Sequence, residues 1–169
     1  MNDEIRIAGI VEESIVDGPG IRYVLFTQGC PHNCKGCHNP QTHDFNMGRM
    51  EKCENIINMI DSNPLLKGIT LSGGEPFMQA EKLANLINKV GNKKLDVMTY
   101  TGFKFEYLLE NANDENKFMN LLEKTDILID GKFEMDKKDE NLLFRGSSNQ
   151  RAIDVKESLK TGKIIEYEF

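Results

Sequence analysis

The sequence has few cysteines, no long apolar run and no cluster of positive charge. Only four cysteines occur in 169 residues, and nothing at the start resembles a secretory signal, so we expect a reducing, cytoplasmic location rather than a disulfide framework. No apolar run approaches the ~20 residues that span a bilayer, which argues against a membrane role. A net charge of −6 without grouped Lys and Arg argues against a nucleic-acid partner.

The order of apolar segments predicts an α/β fold in a single domain, residues 1–169. Predicted strands are Ile5–Val11, Arg22–Gln28, Gly68–Ser72, Leu95–Tyr100 and Asp126–Asp130. Predicted helices are Glu51–Ser62, Gln79–Val90, Phe103–Glu110 and Glu115–Lys124. Because strands alternate with helices, we expect a mostly parallel sheet. A closed eight-stranded α/β barrel takes ~250 residues, so a partial (β/α) barrel fits this length better.

One loop after the second predicted strand carries three cysteines at the spacing C-x3-C-x2-C, namely Cys30, Cys34 and Cys37. A [4Fe-4S] cluster held by three thiolates has one iron without a protein ligand, and that iron can bind a small molecule. A histidine could instead complete a structural zinc site, and three lie near in sequence: His32, His38 and His43. An electron-transfer iron–sulfur protein is another alternative, although it would ordinarily have a fourth cysteine.

The fourth cysteine, Cys53, falls in a helical pattern of apolar residues. It shares one predicted helix face with Met50, Ile56, Ile57 and Ile60. We therefore expect Cys53 to lie in the core rather than at the three-cysteine loop. The charged stretch Glu134–Asn141 has no such pattern and is expected to be a solvent-exposed loop.

Polar and glycine-containing segments follow the predicted strands directly. They are the cysteine loop, Gly73-Gly74-Glu75-Pro76, Thr101-Gly102 and Asp130-Gly131-Lys132. Since ligands bind at the carboxyl ends of parallel strands, these four loops should meet at one edge. The paired glycines would let the main chain approach a ligand closely, although, taken alone, a tight turn into a helix starting at Pro76 is the better explanation of them. For Asp130 and Lys132 the alternative is an exposed ion pair of little energetic weight.

Together, the cysteine spacing and the Gly-Gly-Glu-Pro turn resemble the radical S-adenosylmethionine superfamily. The resemblance implies a partial (β/α) barrel of the radical SAM type, in which the three loop cysteines are both the metal ligands and the catalytic residues of a [4Fe-4S] cluster. It implies that S-adenosylmethionine chelates the open iron and is split into methionine and a 5′-deoxyadenosyl radical. Gly73, Gly74 and Glu75 would lie at the methionyl amino group. Many members carry an aromatic residue where this chain has Gly36, so the adenine must find another surface.

Further segments resemble one branch, the anaerobic ribonucleotide reductase activating enzymes, over about residues 8 to 151. These segments are Asp17-Gly18-Pro19-Gly20, Cys37-His38-Asn39, Tyr100-Thr101-Gly102, Ile129-Asp130-Gly131-Lys132-Phe133 and Phe144-Arg145-Gly146-Ser147-Ser148-Asn149-Gln150. In glycyl-radical activases, an Asn after the third cysteine and an Asp-x-Lys near a late strand end lie at the cofactor. Asn39, Asp130 and Lys132 match those positions.

The same resemblance implies that Gly36, Cys37 and His38 approach the cofactor, with His38 orienting it rather than acting as a base. It implies hydrogen-atom abstraction from a glycine of the large subunit of anaerobic ribonucleotide reductase, with the electron supplied by a low-potential donor such as flavodoxin or ferredoxin. The run Arg145 to Arg151 is either a polar loop without a specific role or a surface that contacts the partner or the cofactor carboxylate. A pyruvate formate-lyase activating enzyme, or another glycyl-radical activase, is the alternative, although those relatives are usually longer.

Overall fold

The computed structural model describes residues 3–169, whose seven strands form one open sheet. The strands are β1 (Glu4–Ser14), β2 (Arg22–Thr27), β3 (Arg49–Lys52), β4 (Gly68–Gly73), β5 (Asp96–Tyr100), β6 (Ile127–Asp130) and β7 (Arg151–Asp154). Their order across the sheet is β3-β1-β2-β4-β5-β6-β7. In the described part of the chain the two edge strands, β3 and β7, do not pair with each other, so the sheet does not close.

Most of the strands point the same way. The central strands β2, β4, β5 and β6 pair in parallel, whereas β1 is antiparallel to both β2 and β3, and β7 is antiparallel to β6. β3 therefore runs with the four central strands, and only β1 and β7 oppose them. The predicted α/β fold with a mostly parallel sheet is confirmed.

Five helices cover one face of this sheet. They are α1 (Cys53–Asp61), α2 (Ala80–Lys89), α3 (Phe105–Asn111), α4 (Phe118–Lys124) and α5 (Val155–Thr161). Their apolar side chains share one core with alternate residues of the strands, as the two-residue repeat of a strand requires. Cys53 belongs to this core and is 0% exposed, which confirms its predicted place. No helix in residues 3–169 is long and apolar enough to cross a bilayer.

The opposite face of the sheet carries a smaller apolar cluster and is partly covered by the β1–β2 loop. The hydroxyl of Thr70 donates to the carbonyl of Asp17 at 2.7 Å, and the buried guanidinium of Arg22 donates to the carbonyl of Pro19 at 3.0 Å. Gly18 lies so close to Arg22 and Met98 that a Cβ atom there would collide with both side chains. These contacts hold the loop against the sheet next to the cavity described below.

The sequence pattern did not predict three elements of the fold, β3, β7 and α5. The tetrapeptide of β3, Arg49–Lys52, has no apolar alternation, and the sequence pattern predicts its second half as part of the helix Glu51–Ser62. It is a strand because the first half of β1 offers an open edge, with Glu4 opposite Lys52 and Ile7 opposite Arg49. Long-range pairing of this kind overrides local preference. The stretch Glu134–Asn141 is mostly exposed, as predicted, apart from a short 3-10 turn at Met135–Lys137.

Candidate active site

A cavity of about 550 Å³ opens at the carboxyl ends of the parallel strands. This volume lies within the range of about 300–1,000 Å³ typical of small-molecule sites. All four predicted loops contribute to its wall: the cysteine loop (residues 29–39), the Gly73-Gly74 turn, Thr101-Gly102 and Gly131-Lys132. The prediction that these loops meet at one edge of the sheet is therefore confirmed.

The cysteine loop is fixed at its base. The amide of Gly29 donates to the carbonyl of Thr42 at 2.7 Å, and the amide of Cys30 donates to the carbonyl of His43 at 3.0 Å. Cys30, Cys34 and Cys37 are all partly buried and all line the cavity. Three candidate iron ligands therefore surround one space.

Two thiols of this loop, those of Cys30 and Cys34, have raised pKa values. Burial raises the pKa of the Cys30 thiol to about 11, so iron must displace a proton that the thiol holds at neutral pH. Burial also raises the pKa of the Cys34 thiol, and a main-chain hydrogen bond at Phe133 and the positive charge of Lys132 oppose this effect only in part. The Cys37 sulfur accepts a hydrogen bond from the amide of Asn39 at 3.4 Å.

The donor set does not form a single-ion site. Within the described range 3–169, no three His, Cys, Asp or Glu side chains lie close enough together to hold one metal ion. A tetrahedral zinc needs all its ligands within about 2.3 Å of one point, whereas a cubane cluster binds each cysteine at a different iron. His32, a candidate fourth zinc ligand, is engaged with the carboxylate of Glu75 at 2.6 Å. Of the three candidate histidines, His32 is therefore already partnered by Glu75, whereas His38 and His43 line the cavity.

The Gly-Gly-Glu-Pro turn packs tightly on the end of β2. The amide of Gly74 donates to Thr27 and the amide of Glu75 donates to Gly29, both at 2.8 Å. A Cβ atom at Gly74 would collide with the carbonyl of Gly29, and Gly73 has φ +89° against the main chain of Thr27. Both glycines are thus required by packing as well as by any ligand. The turn can offer a ligand its carbonyl groups, which suit an ammonium donor.

Glu75 does not face the cavity, although the resemblance implied a cofactor contact. Its side chain is 1% exposed, and the carboxylate accepts hydrogen bonds from Thr101, the amide of Gly102 and the amide of Phe77. Together with His32, these groups use the carboxylate fully. A buried carboxylate is tolerated only when it is well partnered, and Glu75 meets this condition behind the cavity wall.

Asp130 and Lys132 do not form the pair that their spacing suggested. Asp130 is 0% exposed, accepts a hydrogen bond from Arg151 Nε at 3.0 Å and caps α3 through the amide of Phe105 at 2.8 Å. Lys132 is exposed and lines the cavity. Gly131 between them has φ +98°, which turns the chain so that the two side chains separate. Of the two, only Lys132 is placed to touch a cofactor.

The segment after β6 packs against the cysteine loop. The ring of Phe133 lies 5.1 Å from the ring of His38, and both residues line the cavity. Gly36 has φ +75°, and a Cβ atom there would collide with the sulfur of Met135. Met135 thus lies against one side of Gly36, which is otherwise exposed and is not part of the cavity wall, whereas His38 and its neighbour Asn39 are.

The cavity wall also contains residues for which the sequence predicted no specific contact. Three aromatic residues besides Phe133 line it: Phe26, Tyr100 and Phe144. The hydroxyl of Tyr100 donates to the carbonyl of Phe144 at 2.7 Å, which joins the end of β5 to the run containing Arg145. Arg145 lines the cavity, whereas Arg151 at the other end of that run is bound to Asp130 and Glu106.

Comparison with known proteins agrees with this donor set. A family profile described as a 4Fe-4S single cluster domain matches residues 16–153. Relatives named anaerobic ribonucleoside-triphosphate reductase-activating protein include those of Escherichia coli strain K12, 37% identical over 80% of this chain and 90% of theirs, and Enterobacteria phage T4, 34% identical over 80% and 85%. The Pasteurella multocida relative is 38% identical over 80% and 89%.

The chain belongs to this family of activating proteins. The family resemblance inferred from the sequence is confirmed, and with it the prediction of an iron–sulfur enzyme that contains a 4Fe-4S cluster. Among solved structures, QueE from Escherichia coli has a TM-score of 0.45 and 15% identity over 59% of this chain and 53% of its own. The match to the family profile includes the cysteine loop and extends to β7.

Proposed function

We propose that the chain uses S-adenosylmethionine at a [4Fe-4S] cluster to generate a glycyl radical on the large subunit of an anaerobic ribonucleotide reductase. The observation that carries this proposal is the meeting of three cysteines and the Gly73-Gly74 turn at one cavity. The name shared by the relatives supports the choice of partner. We further propose that the open sheet is a partial (β/α) barrel of the radical SAM type.

Cys30, Cys34 and Cys37 would hold the cluster, leaving one iron free of protein ligands. When bound, the cluster supplies the electron that divides S-adenosylmethionine into methionine and a 5′-deoxyadenosyl radical. The hard chemistry belongs to the cofactor, and the protein orients it and excludes water. A low-potential donor such as flavodoxin or ferredoxin would supply the electron to the cluster.

The other wall residues divide by chemistry into three groups. The carbonyls of Gly73 and Gly74 suit the methionyl ammonium, which is a hydrogen-bond donor. Lys132 and Arg145 carry the positive charges that suit a carboxylate. His38, packed on Phe133, and its neighbour Asn39 are assigned to orient the cofactor, in agreement with the roles implied by resemblance.

The open sheet gives the partner a function in the reaction. A carbon-centred radical that met water or the enzyme's own side chains would be lost, so the site must be closed during the reaction. The glycine-bearing loop of the reductase would complete that closure.

Anaerobic mixing of the reconstituted, dithionite-reduced protein with S-adenosylmethionine and candidate glycyl-radical enzymes tests this proposal. We expect a glycyl signal in the electron paramagnetic resonance (EPR) spectrum only with the large reductase subunit. A signal with pyruvate formate-lyase and none with the reductase would reject the proposed partner and favour the alternative activase. The variants Cys30→Ala, Cys34→Ala and Cys37→Ala, which should each lack iron and sulfide, serve as controls.

A further inference from the structure

The carboxylate of Glu75 joins three of the loops that surround the cavity. It contacts His32 Nε2 at 2.6 Å in the cysteine loop, Thr101 Oγ1 at 2.9 Å and the amide of Gly102 at 2.8 Å after β5. It also accepts from the amide of Phe77 at 3.0 Å within its own turn. Hydrogen bonds to a buried charge are roughly twice as strong as neutral ones, so this carboxylate ties the loops firmly together.

His32 connects this network to the iron ligands, since it lies between Cys30 and Cys34. Its side chain is 6% exposed, and its ring meets the ring of Phe103 edge-on with centroids 4.5 Å apart. Gly102 packs so tightly on the imidazole that a Cβ atom there would collide with it. The ring is therefore enclosed by the loop after β5 and held on one side by Glu75.

The cysteine loop needs such an anchor. Residues 29–39 form no helix or strand. The hydrogen bonds that the main-chain amides of Gly29 and Cys30 donate fix only the base of the loop. Asn33 and Gly36 both have positive φ values, at 50° and 75°, so the chain between the cysteines turns sharply. Side-chain contacts must then set where the sulfur atoms stand relative to the Gly73-Gly74 wall.

We propose that His32, Glu75 and Thr101 form a clamp that holds Cys30 and Cys34 against the Gly73-Gly74 turn, and that Glu75 is a positioning residue rather than a cofactor ligand. The inference rests on the proposed role of the cysteines as cluster ligands. Opening of the cysteine loop exposes the cluster to loss of iron, and the clamp opposes this opening. It would also hold the cysteine loop in a fixed position relative to the Gly73-Gly74 turn.

Two pairs of variants test the clamp. His32→Leu removes the hydrogen bond to Glu75, whereas His32→Gln keeps a donor of similar reach. Thr101→Val removes a buried hydroxyl from the clamp. Its matched control is Thr125→Val, because Thr125 is 0% exposed, its hydroxyl bonds to Leu121 and Thr99, and neither Thr125 nor Thr99 lines the cavity.

Each full-length variant is reconstituted anaerobically, and three quantities are measured. The first is the rate of iron loss to a chelator, the second the melting temperature, and the third the change that S-adenosylmethionine causes in the EPR spectrum of the reduced cluster. We expect His32→Leu and Thr101→Val to lose iron about tenfold faster, equivalent to ~1.4 kcal/mol off the barrier, and to show a diminished cofactor response. His32→Gln and Thr125→Val should stay within about twofold of wild type.

The control separates positioning from general stability. If iron loss follows the melting temperature alone, so that Thr125→Val behaves like Thr101→Val, the clamp is overturned. It is equally overturned if His32→Leu and His32→Gln are alike, or if the cofactor response is unchanged in both clamp variants. If His32→Leu does not fold, the comparison of Thr101→Val with Thr125→Val tests the clamp by itself. Wild-type protein that retains its cluster but forms no glycyl radical would refute the proposed function and leave the clamp intact.

Discussion

Replacing Asp130 by Asn removes a buried negative charge on which two neighbouring elements depend. Asp130 holds Arg151 at the start of β7 through Nε at 3.0 Å, and it accepts from the amide of Phe105 at the start of α3. Asn has nearly the same shape as Asp, but it carries no negative charge. The structure therefore predicts that the main effect of this variant is a loss of folding stability.

The size of the effect follows from burial. Removing one partner of a buried ion pair typically costs about 3–5 kcal/mol. The side chain of Arg151 is 25% exposed and keeps its bonds to Glu106, so the lower end, about 3 kcal/mol, applies. A protein of this size loses about 2–4 °C of melting temperature per kcal/mol, which predicts a fall of about 6–12 °C.

Thermal unfolding followed by circular dichroism measures this fall, with Lys132→Gln as the control. Lys132 is exposed, and no ion pair to it occurs among residues 3–169, so its replacement should change stability by no more than about 0.5 kcal/mol. Lys132→Gln should instead weaken binding of S-adenosylmethionine. An Asp130→Asn variant with unchanged melting temperature and lost cofactor cleavage would refute this reasoning and return Asp130 to the cofactor site.

Three further predictions concern other parts of the fold. Cys53→Ala should keep full iron and sulfide, because the residue lies in the core; an empty site by iron and sulfide assay would contradict this. Gly74→Ala should both destabilise the protein and speed iron loss to a chelator, since its Cβ would collide with the carbonyl of Gly29. Iron retention equal to that of wild type would show that the turn can shift to accommodate the methyl group. Arg151, chiefly through its hydrogen bond, lowers the pKa of Glu106 below the ordinary 4.5, so this contribution to stability is present above pH 4.5 and is lost as pH falls through the folded-state pKa. Glu106→Gln should therefore flatten the loss of melting temperature below pH 4.5, and an unchanged acid profile would contradict the pair.

The site could be located from the sequence because the three cysteines that mark it lie close together in the chain. The spacing of the three cysteines and their position after a strand can be read directly from the chain, and the rule for parallel sheets brings the other strand-end loops to the same edge. The strands at the centre of the sheet are short, buried segments rich in apolar and β-branched residues, so the sequence predicts Gly68–Ser72 and Asp126–Asp130 within one residue of β4 and β6.

The roles of the acidic residues could not be predicted, because their partners lie far away in sequence. Glu75 meets His32 across 43 positions and Thr101 across 26, and Asp130 meets Arg151 across 21. Nothing local indicates that these carboxylates turn away from the cavity. The same cause explains the missed edge strands, since β3 and β7 depend on the open edges of β1 and β6 rather than on their own composition.

Transfer of deuterium tests the central claim most directly. The large reductase subunit is prepared with deuterated glycine and incubated anaerobically with the reduced, reconstituted protein and S-adenosylmethionine. Mass spectrometry of the 5′-deoxyadenosine then shows whether its new hydrogen came from the partner. We predict deuterium in 5′-deoxyadenosine in proportion to the glycyl radical counted by EPR. Unlabelled 5′-deoxyadenosine with no glycyl radical would contradict the account.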